Sequence, residues 1–278
     1  MASLVGCYAS SHGPLIARDW KILPALRREQ FTTSFRELGR RLKAARPDVL
    51  IEIAPDHWNN FFLDNLPSIC IGIGDTHGGP PEPFVKTYFP HQTVPGHAGL
   101  GKHILASALA ADFEPSLSHH MRLDHGFCIP LWQMELPQLP LVPITVNDLE
   151  PPMMTIRRCL AWGRLLAEAI ASYPEKIRVA ILASGGLSHS IGERDMGAID
   201  EKFDHECLRL MQAGDDAALA AFLERELPRT GNGGHEVRNW VIAHAAAGSR
   251  GFELIAYEPV PEVYVGCGYA AWNVAAAA

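Results

Sequence analysis

Short β-branched apolar runs alternate with helical patterns along almost the whole chain, and that alternation leaves few folds open. The runs LVGCYA, DVLIEIA, SICIGIG, LVPITV and RVAILA, with FELIAY and VYVGCG near the end, read as strands. Between them, residues 28–45, 97–111, 155–172, 195–212 and 217–225 keep apolar side chains three and four apart, the spacing of a helix buried along one stripe. A further helix is predicted over 235–247, launched from GNGG. Strands apolar on both faces need cover on both faces. The expectation is therefore an α/β fold, one domain over 1–278, with a largely parallel or mixed central sheet flanked by helices. The stretch GGPPEPFVKTYFPHQTVPG suits neither element and reads as a long loop, functional or mobile.

Bulk properties remove several function classes. A net charge of -7 lacks the basic face that nucleic acid or an acidic membrane surface would favour. No apolar run approaches the roughly 18 residues of a membrane span, and the N-terminus carries no signal-peptide pattern. Six cysteines lie far apart without a C-x-x-C pair, which reads as reduced thiols of a cytoplasmic protein. Histidine, at 13 residues, stands out.

Three histidines share one context. His12 follows LVGCYASS, His57 follows DVLIEIAPD and His189 follows RVAILASGGLS, each just past the carboxyl end of a predicted strand. In open α/β sheets those ends line the ligand crevice. One such histidine alone is more often a satisfied turn residue; three in the same topological position point to a site. Asp56 is placed to orient an imidazole, and Trp58, Phe61 and Phe62 to wall a pocket.

The carboxylate is less clear from spacing. Glu236 lies in the first turn of the helix after GNGG, where an acid also complements the helix dipole, and His235 is its neighbour. Adjacent helical side chains diverge by about 100°, so only one of the two faces a site, and spacing does not choose. His125, in MRLDHGFCIPLW, reads as a strand end or bulge, paired with Asp124 or facing the site. His77, His91, His97, His103, His119, His120, His205 and His244 lack comparable surroundings and are read as surface, loop or helix residues.

Two neutral imidazoles and a carboxylate on one face leave coordination positions open. With Fe(II) that set serves an oxygenase; with zinc it acidifies water for a hydrolase. A non-catalytic binding protein on the same fold is the third reading.

The segments SHGP, APDHWNNFFLDNLPSICIGIG, DHGF, ASGGLSH, HEVRNWVIA and VYVGCG together resemble the class III extradiol ring-cleaving dioxygenases. The 2,3-dihydroxyphenylpropionate branch is the nearer likeness, and the catalytic subunit of protocatechuate 4,5-dioxygenase the more distant. Matched residue by residue, the resemblance implies a non-haem Fe(II) site at the strand C-terminal ends, with His12, His57 and Glu236 as ligands and His189 and His125 as the acid/base pair. It implies a catecholic substrate and O2, opened next to the diol to a hydroxymuconic semialdehyde-type product. The segment between His189 and Glu236 is short beside the phenylpropionate enzymes, which bears on side-chain specificity. A carboxylated or other polar substituent is expected. So is a homo-oligomer, with a small accessory subunit left open.

Overall fold

The computed structural model describes residues 1–136 and 139–274. Its strands in chain order are β1 (Ser3–Ser10), β2 (Val49–Pro55), β3 (Ile69–Gly72), β4 (Thr76–Gly79), β5 (Gln92–Pro95), β6 (Ser116–Ser118), β7 (Leu141–Val146), β8 (Arg178–Ser184), β9 (Phe252–Val260) and β10 (Val265–Trp272). Eight of them form one sheet in the order β6-β3-β7-β2-β8-β1-β10-β9. The middle four, β7, β2, β8 and β1, run parallel to one another. Antiparallel pairing sets in at β3 on one side and at β10 and β9 on the other, so the sheet is mixed.

The helices are α1 (Pro14–Arg18), α2 (Ala25–Ala45), α3 (Pro83–Lys86), α4 (Ala98–Ala110), α5 (His125–Gln133), α6 (Ile156–Ser172), α7 (Glu201–Ala213), α8 (Asp216–Glu226) and α9 (Val237–Ala246). Alternate strand residues divide between two cores. Ile51, Ile53, Val142, Ile144 and Ile181 pack on one face with α4, α6 and α9. Leu50, Ala54, Leu182 and Tyr269 pack on the other with Phe35, Leu38 and Leu42 of α2 and with α5. Each fully buried large apolar side chain contributes about 1.5–3 kcal/mol, and a sheet covered this way holds its strand ends in fixed register.

Three expectations change. The stretch DHGF is a helix start, not a strand end: Asp124 is extended and its carboxylate accepts the Gly126 N–H at 2.9 Å, an N-cap that launches α5. The stretch expected as a loop holds α3 and the small β4–β5 sheet. Helix α7 begins at Glu201, where the Asp200 carboxylate caps Phe203, six residues later than the apolar spacing suggested. All six cysteines are buried and unpaired, in keeping with reduced thiols. Among the described residues no helix is long and apolar enough to cross a membrane.

One polar side chain interrupts the second core. Glu52, in the middle of β2, is fully buried, and neither carboxylate oxygen has a partner among the described residues. Burial, with Asp124 adding to it, pushes this acid well above its ordinary value and favours its neutral form in the folded chain. An acid with a raised folded pKa contributes stability that is full below its unfolded pKa and is lost as pH rises above it, by about 1.4 kcal/mol per pH unit until the folded pKa is reached. Thermal melts of wild type and Glu52→Gln from pH 5 to 8 check this. The variant's advantage should widen as pH rises, and a constant difference would mean that Glu52 ionises freely in the fold.

Candidate metal centre

The parallel strands β2, β8 and β1 are direct neighbours, and their carboxyl ends deliver His57, His189 and His12 to one place. The carboxylate comes from a 3₁₀ turn, Gly233–Glu236, that leads into α9. The Glu236 Oε2 accepts the Gly186 N–H at 2.7 Å, which ties the turn to the end of β8. Two glycines make that approach possible. Gly185 has φ +129°, and a Cβ there would press on the Glu236 side chain. A Cβ on Gly233 would overlap the His189 ring. Trp240 Nε1–H and Asn239 Nδ2–H donate to the carbonyls of Gly185 and Ser184 and pin the same turn. His235, the other candidate, turns away and meets the Arg238 guanidinium.

Four imidazoles have Nδ1 engaged and Nε2 left for a common space. His12 Nδ1–H donates to Ser184 Oγ at 2.9 Å, because that hydroxyl spends its own proton on the Gly126 carbonyl. His57 Nδ1–H donates to Asp124 Oδ2 at 3.2 Å, and His189 Nδ1–H to the Leu187 carbonyl at 2.8 Å. His125 Nδ1 bonds Glu82 Oε1 at 2.9 Å, and the same oxygen accepts the His125 backbone N–H at 3.0 Å. Tying Nδ1 fixes both ring orientation and tautomer. Ser188, which precedes His189, is itself held by Asp204 through its N–H and its hydroxyl.

The orienting acids differ from those expected. Asp56 takes no imidazole: it accepts the backbone N–H groups of Asn59, Asn60 and Phe61 and so folds the loop after β2. Asp124 holds His57, not His125. Glu82 holds His125, and it lies in the segment read as a loop. Nothing local marks Glu82, since its partner is 43 residues away; the density of Pro and Gly around it was the only hint. Trp58 lines the pocket, whereas Phe62 is half exposed and sits outside it. His77 and His244 are fully buried, with Nδ1 atoms accepting the Met121 N–H and the Trp272 indole N–H; His77 is thus a core strand residue and not a surface or loop one, while His244 is a helix residue, buried in α9.

Donor geometry and charge both fit a divalent cation. His12 Nε2 lies 3.3 Å from His57 Nε2 and 3.7 Å from Glu236 Oε2, and His57 Nε2 lies 3.5 Å from Glu236 Oε1. Ligand atoms about 2.1 Å from one metal, on one face of its coordination sphere, stand roughly 3–3.5 Å apart. A ring nitrogen of His125 also comes within 4.8 Å of one on His12 and one on His57. Burial lowers the His12 imidazole to about 3, so it is neutral and ready to ligate. Burial opposes charge on His57 too, but Asp124 and Glu236 outweigh it and hold its imidazolium up to about 10. Burial likewise opposes charge on Glu236, and the surrounding histidines still keep it ionised. A pocket that drives a proton onto one of its own imidazoles is short of positive charge. Glu82, Asp124 and His125 also lie close together, but Glu82 is bonded to His125 and Asp124 to His57 and the α5 cap.

These groups close the floor of a cavity of about 420 Å³, with Gly13, Pro14, Ile191 and Val265 among its walls.

A family model described as the catalytic LigB subunit of aromatic ring-opening dioxygenase matches residues 6–275. A 2,3-dihydroxyphenylpropionate/2,3-dihydroxicinnamic acid 1,2-dioxygenase of Dechloromonas aromatica is 29% identical, covering 80% of this chain and 84% of its own. A protein of the same name from Photorhabdus laumondii is 26% identical over 92% and 93% of the two chains. The crystal structure of an uncharacterized Escherichia coli K12 protein superposes with a TM-score of 0.64 at 16% identity, covering 96% of this chain and 99% of that one, a likeness of fold.

Proposed function

The chain belongs to the LigB family of aromatic ring-opening dioxygenases, and from that premise we propose that it is a non-haem Fe(II) extradiol dioxygenase that opens a catecholic ring beside its two hydroxyls. The observation that carries this reading is the His12–His57–Glu236 triangle with two further imidazoles facing the same space. A bound Fe(II) would supply an electron path between an aromatic diol and O2 gathered at one centre.

The chain's own residues bind, orient and move protons. Orientation alone is worth much, since reactants held in place react as one unit and not by chance encounter. His189, with Nδ1–H spent on Leu187, has Nε2 3.8 Å from Glu236 Oε1 and so stands beside the ligand triangle. It accepts a proton from the substrate hydroxyl and returns it as the O–O bond breaks. His125 bonds a diol oxygen from the substrate side through Nε2, a buried atom with no partner among the described residues, while Glu82 keeps its proton on Nδ1. Trp58, Ile191 and Val265 exclude water. Both oxygen atoms enter the product and no outside reductant is needed, so a catechol plus O2 gives a hydroxymuconic semialdehyde with atoms in balance.

Anaerobic loading with Fe(II), followed by a panel of catechols and air, tests the proposal. O2 uptake in equal amount to substrate, with a new yellow absorbance, is the expected result. A muconic dicarboxylate as sole product would mean intradiol cleavage and overturn it.

A further inference from the structure

Acids hold the rings of His57 and His125 directly, but His189 leans on its own turn. Its Nδ1–H donates to the carbonyl of Leu187, two residues back, so the ring goes where that turn goes. Two bonds join the turn to β10: Leu187 N–H to the Gly266 carbonyl at 2.8 Å, and Gly266 N–H to the Ser188 carbonyl at 3.1 Å. The N–H and the hydroxyl of Ser188 both go to the Asp204 carboxylate of α7, at 2.8 and 2.9 Å. The same hydroxyl accepts the Asp200 N–H at 2.8 Å. Tyr257, on the edge strand β9, donates its phenol to Asp204 Oδ2 at 2.7 Å.

Asp204 and Ser188 are fully buried, and no Lys or Arg pairs with the carboxylate among the described residues. Burial pushes this acid up to about 6, while Tyr257 and Ser188 pull it down. A buried acid without a cation is costly to keep, and an apolar side chain would fill the space at less cost. A side chain at Gly266 would overlap the carboxylate, so β10 leaves room for it.

Resting on the dioxygenase reading, we propose that Asp204 is a positioning residue for proton transfer at His189: through Ser188 it fixes the turn that aims Nε2 beside Glu236. Tyr257 holds the carboxylate in turn. The aim matters, because misplacing a reacting group by about 1 Å can cost a hundredfold in rate. Asp204 lies outside the cavity wall, so its loss affects the proton step and spares iron and substrate binding.

The test compares iron content, anaerobic catechol affinity and single-turnover rate in full-length wild type, Asp204→Asn and Asp204→Ala, each also in a His189→Ala background. Asp204→Ala should keep iron and bind catechol within about twofold of wild type, yet turn over at least about tenfold more slowly. Asp204→Asn, which can still accept the Ser188 N–H, should recover most of that rate. Without His189 the Asp204→Ala loss should shrink below about twofold, since residues acting as a unit are not additive. Should Asp204→Ala not fold, Ser188→Ala and Tyr257→Phe keep the carboxylate, and each should lose a few-fold in rate only when His189 is present. A second readout needs no turnover: the His189 ring Cε1–H resonance in metal-free protein, assigned by its absence from His189→Ala. It should move in Asp204→Ala, or in Ser188→Ala if that variant stands in, and stay near wild type in Asp204→Asn. A resonance that does not move overturns the proposal, and so does a rate loss that persists undiminished without His189. No O2 uptake by wild type with any catechol would instead defeat the dioxygenase reading, and the resonance alone would then decide whether Asp204 sets the ring.

Discussion

His57→Ala is expected to lose tightly bound iron while keeping its fold. The imidazole stands past the end of β2 with its side chain 19% exposed, so its removal leaves both cores intact. What disappears is one corner of a triangle whose sides are 3.3–3.7 Å. Removing a group that merely orients a ligand weakens metal binding by about 10–100-fold; removing the ligand itself should cost at least a hundredfold. Iron per chain after desalting, read beside a circular-dichroism melt, separates loss of metal from loss of fold. His12→Ala should behave likewise. Glu236→Ala removes the acceptor of the Gly186 N–H as well as a ligand and should also lower the melting temperature; Glu236→Gln, which can keep that bond, isolates the metal effect. Stoichiometric iron retained by His57→Ala would remove the assignment.

His189→Ala should keep its iron and still bind catechol, yet turn over at least about a hundredfold more slowly, within the range that general acid/base help supplies. The ring is held by a neutral carbonyl, which leaves Nε2 free to take a proton and give it back. His125 differs in that its Nδ1 bonds the Glu82 carboxylate, and in the proposed function it is the imidazole that bonds the substrate diol. His125→Ala should therefore raise KM more than His189→Ala does, because its bond to the diol exists before the chemistry. Glu82→Gln should fall between wild type and His125→Ala. Single-turnover rates on iron-loaded variants distinguish the two histidines. Near-wild-type turnover in His189→Ala would place the proton path elsewhere.

Local patterns in the sequence sufficed for the elements that repeat a period. Runs such as RVAILA are apolar on both faces because β8 lies between two strands and under helices on both sides. The positions of His12, His57 and His189 past strand ends were equally legible, since a strand end is a one-dimensional fact. That β2, β8 and β1 are neighbours is not. It depends on crossover connections that bring segments up to 175 residues apart into contact, as Ser11 and Gly186 show by their hydrogen bond.

Charge partnership was decided only by tertiary structure. Asp56 is adjacent to His57 in sequence, but the turn after β2 points its carboxylate at backbone N–H groups. Asp124 is adjacent to His125 and instead caps α5 and holds His57, 67 residues away. A carboxylate serves the donors within about 3 Å, and in a folded chain those are seldom its neighbours in sequence. The sequence by itself determined the main strands and helices and the kinds of side chain at the site, while α3, α5 and the β4–β5 pair came only with the tertiary structure. Glu82 behind His125 and Asp124 behind His57 exist as pairings only in three dimensions, because hydrogen bonds and charges act through space and not along the chain.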